Sequence, residues 1–167
     1  SAKNYVPVNY NLKGFDTTGI IYHKIFPASH DSKYSDNLWL FIQNRTGYLS
    51  SFACVLDPSL NLNCKLHASI FLSKAVKKLE FITNFIFVLL EDQKLMALTF
   101  MMELASNSLH DDCADIIPFI LKKSNMLICM QPQLNRFMYM LFLDFDLAEV
   151  QYIDQSHFKE QVTLLSV

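Results

Sequence analysis

Residues 81–98 read FITNFIFVLLEDQKLMAL, and how they fold decides the fold of the chain. They form either one helix or two strands folded back across the polar tetrad Glu91-Asp92-Gln93-Lys94. As a helix, residues 85–90 would be apolar all round and loaded with Ile, Phe and Val, which lose rotamer freedom there. The Leu, Met, Ala, Glu, Gln and Lys of residues 89–98 argue the other way, being good helix formers. The hairpin is favoured. Closed by residues 91–94, it sets Leu90 opposite Leu95, Val88 opposite Ala97 and Ile86 opposite Thr99. Phe85, Phe87 and Leu89 then lie beside Met96, Leu98 and Phe100 on the other face. Neither face is polar, so a sheet built on these strands needs cover on both sides.

Upstream, the ordered stretches are β-rich: YVPVNYNL (5–12), GIIYHKIF (19–26), NLWLFIQN (37–44) and YLSSFACVL (48–56), punctuated by Pro7, Gly14, Gly19, Pro27 and Gly47. Asn44-Arg45-Thr46-Gly47 reads as a hairpin loop in which Gly supplies a positive φ. The polar residues 27–37 read as a surface loop. Leu60, Leu62, Cys64, Leu66, Ala68, Ile70 and Leu72 alternate with Asn61, Asn63, Lys65, His67, Ser69, Phe71 and Ser73, the period of a strand with one buried and one wet face. Turn chemistry at Asp57-Pro58-Ser59 precedes it.

Downstream the pattern predicts helix. Residues 101–106, MMELAS, form a short one. Asp115 caps IIPFILKK, with Pro118 in the first turn and Lys122 and Lys123 at the negative end of the dipole. MLICM (126–130) and RFMYMLFLDF (136–145) read as strands flanking residues 131–135, where Pro132 could start a helix, and VTLLSV (162–167) leans to strand. No repeat of 20 to 50 residues and no Pro/Gly/Ser linker is evident. The expected fold is therefore a single α+β domain over residues 1–167. It is predominantly antiparallel β-sheet, sandwich-like or half-barrel, with one to three short helices mainly in residues 101–124.

Composition excludes several function classes. The 167 residues carry 14 basic and 16 acidic groups, a formal charge of -2, and no basic stripe interleaved with aromatics, so no nucleic-acid partner is expected. Glycines number only 3, at 14, 19 and 47, too scattered for a phosphate-cradling loop, so no nucleotide or other cofactor is expected. No apolar run approaches the roughly 18 residues of a membrane-spanning helix. Residues 1–12 lack a basic stretch followed by an apolar core, so no signal or transit peptide is expected there.

Chemistry-bearing groups are sparse. Cys54, Cys64, Cys113 and Cys129 sit in or beside apolar segments with no CxxC and no His at ligand spacing, which favours reduced, buried thiols over disulfides. A Cys/His nucleophile pair could be drawn from Cys54 or Cys64 with His23 or His67. His30-Asp31 and His110-Asp111-Asp112 could supply metal ligands, and Asp144 with Asp146 a carboxylate pair. Solvated loops, an acidic helix start and the wet end of a strand account for these more simply. Asn44-Arg45-Thr46 is a formal glycosylation sequon.

What stands out is apolar strand on both faces, short of cover, in a chain with only 18% charged residues. That combination points to an intracellular, non-catalytic adaptor or scaffold domain that buries an aromatic-rich sheet face against another protein chain, in a homo- or hetero-oligomer. Phe85, Phe87, Leu89, Phe100, Phe137 and Tyr139 are the candidate partner-binding residues. Two rival readings remain open: a small hydrolase with a Cys/His or His/Asp site, and a secreted β-sandwich binding module with glycan at Asn44 and at least one disulfide.

Overall fold

The computed structural model describes residues 9–12, 15, 19–27, 38–82, 85–120, 125–143 and 146–154. His30-Asp31, the remainder of the 27–37 loop beyond Pro27, Lys122, Lys123, Asp144 and VTLLSV lie outside the described residues. The chain divides into two compact units, Ser1–Ala75 and Val76–Val167.

The first unit holds β1 (Asn9–Asn11), β2 (Ile20–Phe26), β3 (Leu38–Asn44), β4 (Tyr48–Leu56) and β5 (Asn61–Phe71) in one sheet of order β1-β5-β4-β3-β2. Strands β2 to β5 follow one another as antiparallel neighbours, and β1 lies parallel to β5. The second unit holds two sheets with the same consecutive order. One is β6 (Val76–Ile82), β7 (Phe85–Leu90), β8 (Leu95–Leu98) and β9 (Leu104–His110). The other is β10 (Asp115–Ile120), β11 (Asn125–Gln131), β12 (Arg136–Leu143) and β13 (Asp146–Asp154), with a 3-10 turn at Pro132–Leu134.

The expected α+β class is wrong: nearly all the described chain is antiparallel sheet, and no α-helix occurs among the described residues. Residues 104–110 and 115–120 are strands, not helices. Asp115 caps nothing; its Oδ1 accepts the Ile116 N–H at 2.9 Å and pairs with Lys78 Nζ at 3.2 Å. Pro118 is tolerated because β10 is the edge strand of its sheet, where a missing N–H interrupts no ladder. The β-branched Ile116, Ile117 and Ile120 suit that extended edge better than a helix. Among the described residues a four-stranded antiparallel meander occurs three times, once with β1 added parallel to β5, without any recurring residue signature.

The hairpin at residues 85–98 forms, with its register one residue from expectation. Leu89 pairs with Leu95, Val88 with Met96, Phe87 with Ala97 and Ile86 with Leu98. The cause is the turn. Gln93 N–H donates to Leu90 O at 3.0 Å, Leu90 N–H donates to Lys94 O at 2.9 Å, and Gln93 sits at φ 69°. This is the three-residue hairpin loop that ends in a left-handed residue and a bulge. The same two-bond closure recurs at Asp57, with Leu60 at φ 63°, and at Thr99, with Met102 at φ 61°. An acceptor side chain opens several of these turns. Asp57 Oδ1 takes the Asn61 N–H at 2.8 Å, Thr99 Oγ1 the Glu103 N–H at 3.3 Å and Asn44 Oδ1 the Tyr48 N–H at 3.3 Å.

A one-residue slip moves side chains between faces. Phe87 and Leu89 therefore share a face with Leu95 and Ala97. That face packs on Ile116, Leu127, Cys129 and Met138 of the β10–β13 sheet. Strand β6 runs beside β10: Lys77 Nζ reaches Ala114 O at 3.0 Å, and Lys78 Nζ reaches Ile116 O at 2.6 Å. The other face of β6–β9, with Leu79, Ile86, Val88 and Leu98, is buried too. No helix of the described residues is long and apolar enough to cross a membrane.

Candidate protein-interaction face

The candidate face belongs to the β2–β5 sheet. Along β4 and β5 the cross-strand pairs Tyr48–Phe71, Ser50–Ser69, Phe52–Leu66, Cys54–Cys64 and Leu56–Leu62 share one side. On the neighbouring strands Leu38, Leu40 and Ile42 continue it, and Ile25 follows opposite Leu40. At its centre Leu40, Ile42, Phe52, Cys54 and Leu62 are buried, with Leu12 and Phe15 packed over them. The Phe15 ring meets Phe52 edge-on with centroids 5.0 Å apart. Around that centre the side chains are open to solvent. Phe71 is 58% exposed, Leu66 53%, Tyr48 49% and Ile25 40%. Tyr48 and Phe71 meet edge to face at 5.6 Å, which fixes two large rings side by side on the surface.

Simple alternation along β5 places Phe71 on the wet side, away from Leu66. A bulge overrides it. Phe52 pairs with Leu66 but Ser51 pairs with Ala68, leaving His67 as the extra residue. Alternation then restarts with Phe71 on Leu66's face. Sequence alone carried no mark of the bulge, so Tyr48, Leu66 and Phe71 were missed as a group.

The candidate partner-binding residues named from sequence fall elsewhere. Phe87 and Leu89, at 1% and 0% exposure, are core between the two sheets of the second unit, and Phe85 packs against that core. Within the chain, β10–β13 already covers them. Phe100 is half-buried in the 99–102 turn and stacks on Phe81 at 6.1 Å. Phe137 pairs with Met130 and Tyr139 with Ile128, register positions on the side of β10–β13 turned away from the core that holds Leu127, Cys129 and Met138. Ile117 and Phe119 join that side, 40% and 37% exposed.

The expected free thiols are instead disulfides, Cys54 with Cys64 and Cys113 with Cys129. The first joins directly opposed residues of β4 and β5, with Cα atoms 4.1 Å apart. The second ties Cys113, two residues before β10, to β11 across 5.8 Å. A Cys/His nucleophile drawn from Cys54 or Cys64 is thereby ruled out in this state, since neither sulfur is a thiol, and His67 lies edge-on to Trp39 at 5.2 Å. His110 is half-buried, and desolvation holds its pKa below the ordinary value against the opposing pull of Asp111. Among the described residues no three His, Cys, Asp or Glu side chains gather as metal ligands. No protein-family model matches the chain, and no curated protein matches it in sequence.

Proposed function

We propose that this chain is a non-catalytic protein–protein interaction module, a subunit of a larger assembly that docks another protein chain on the β2–β5 face. The observation carrying this reading is the row Tyr48, Phe71 and Leu66, large apolar side chains about half exposed on a rigid antiparallel sheet. Contiguous exposed apolar surface of this kind on a folded chain marks interfaces, and paired aromatics are the residue type that anchors them. A photo-crosslinking phenylalanine analogue at position 71, in cells that make the protein, tests it. The reading predicts one discrete cross-linked product, lost when Leu66→Lys is added. Equal, diffuse labelling from positions 71 and 87 would contradict it.

A second reading concerns where the module works. Two disulfides and a sequon at the tip of the β3–β4 hairpin, where Arg45 and Thr46 are exposed, favour a secreted binding module in an oxidising compartment. Thiol titration of protein taken directly from its source, together with a mobility shift on glycosidase treatment, decides between that and an intracellular subunit.

A further inference from the structure

Asn44 ends β3, and the chain turns back through Arg45, Thr46 and Gly47 into β4. One side-chain oxygen organises the turn: Asn44 Oδ1 accepts the Tyr48 N–H at 3.3 Å and also the Thr46 hydroxyl. The backbone closes it, with Gly47 N–H donating to Asn44 O at 3.0 Å and Arg45 N–H donating to Gly19 O at 2.9 Å. Arg45 and Thr46 are exposed and Asn44 is half-buried. All the side-chain bonding falls on Oδ1. Asn44 Nδ2 makes no hydrogen bond among the described residues, and it is not one of their buried unpaired polar atoms, so it opens to solvent. An Asn-X-Thr tripeptide with X other than proline is the acceptor for N-glycosylation, and it belongs on a surface loop. The tripeptide alone recurs by chance. Here it coincides with an exposed hairpin tip, an uncommitted amide nitrogen and two disulfides, the bonds of the compartment in which secreted chains fold.

We propose that Asn44 Nδ2 carries an N-linked glycan, and that this glycan bounds the docking face at its Tyr48 end. The proposal rests on the second reading above, a chain that folds in an oxidising compartment. The donor is a lipid-diphosphate-linked oligosaccharide. The amide nitrogen bonds to the anomeric carbon as the bond from that carbon to the diphosphate oxygen breaks; the lipid diphosphate leaves with the electron pair, and the amide gives up one proton to base. One N–H and the carbonyl oxygen remain, so Oδ1 still accepts from Tyr48 and Thr46. No bond of the turn is lost. Register fixes where the sugar stands. Leu38, Leu40, Ile42 and Asn44 alternate along β3, which sets Asn44 on the side of Tyr48, Ser50 and Phe52, one step past the Gln43–Leu49 pair and level with Tyr48–Phe71. At about 4.8 Å per strand, the glycan begins one strand from Tyr48 and two from Phe71. Leu66 lies further in, past the Ser50–Ser69 pair. A partner therefore reaches Phe71 and Leu66 from the β5 side, while the tip of β3 is closed to it.

Protein taken directly from its source, treated with peptide-N-glycosidase in heavy-oxygen water and read by peptide mass spectrometry, tests this. The enzyme converts a glycosylated Asn to Asp and leaves a heavy oxygen there, so position 44 should carry the label in most molecules. In the same cells Thr46→Val should abolish the glycan and Thr46→Ser should keep it. Should Thr46→Val fail to fold, the label on the unaltered protein and the Thr46→Ser result carry the test. An unmodified Asn44 in protein whose four cysteines are all oxidised overturns the proposal and leaves the oxidising-compartment reading standing. An unmodified Asn44 with four free thiols removes both. A glycan that survives in Thr46→Val also overturns it, because the sequon then does not direct the modification. The cross-link from position 71 should form in the glycosylated protein and in Thr46→Val alike. A cross-link that appears only in Thr46→Val would overturn the placement, since the sugar would then cover the face instead of bounding it.

Discussion

Phe87→Ala separates the core from the proposed docking face. Phe87 lies on β7 between Glu80 of β6 and Ala97 of β8, 1% exposed, and projects into the layer shared with Ile116, Leu127, Cys129 and Met138 of the facing sheet. Truncation removes a whole ring from a site walled by two hydrogen-bonded sheets, which cannot collapse freely onto the gap. The cost is the lost transfer energy plus the cavity, about 3–5 kcal/mol. At about 2–4 °C per kcal/mol for a chain of this size, the melting temperature falls by roughly 6–20 °C. Urea unfolding followed by fluorescence should show the midpoint moving to lower denaturant with an unchanged slope. Association, measured in the same preparation below its melting temperature, should be retained. Loss of less than about 1 kcal/mol together with loss of association would refute the reasoning, since that is the signature of an exposed contact residue.

Four further outcomes are expected. Gln93→Gly should stabilise the chain by about 0.5–1 kcal/mol, because a left-handed non-glycine residue costs about 1–2 kcal/mol and glycine's extra unfolded-state freedom returns part of the gain. Gly47→Ala should destabilise by at least about 1–2 kcal/mol: at φ +95° an added Cβ would stand 2.7 Å from Leu72 O and 2.9 Å from the Phe71 ring. The denatured, unreduced protein should titrate no thiols and the reduced protein four, and reduction should cost about 2–4 kcal/mol per bridge. For His110 the folded pKa lies below the ordinary 6.5, so the unfolded chain takes up the proton first. Its contribution is present above pH 6.5, is lost as pH falls through the lowered folded value, and should vanish from the stability–pH profile in His110→Gln.

Strands were legible where local chemistry and periodicity agreed. Alternation marked β5, the Gly47 turn marked the β3–β4 hairpin, and the both-faces-apolar run at 85–90 marked a strand needing two covers. Three things were not legible. Leu60, Gln93 and Met102 hold left-handed conformations that nothing in those residue types announces, so the hairpin register came out one residue away. Asp115-Ile-Ile-Pro carries both a helix start signal and edge-strand chemistry, and only the neighbouring sheet decides between them. The cover for Phe87 and Leu89 comes from residues 116–138, a pairing of distant segments with no short-range signal. Because of that last gap, strands with internal cover read as strands awaiting a partner.

Residue-resolved carbene footprinting of the isolated native chain at high dilution, with the digest read by mass spectrometry, tests the central division most directly. Tyr48, Leu66, Phe71 and Phe119 should label heavily while Phe87, Leu89 and Leu95 stay unmodified. Heavy labelling of Phe87 and Leu89, with Leu66 and Phe71 protected, would contradict it.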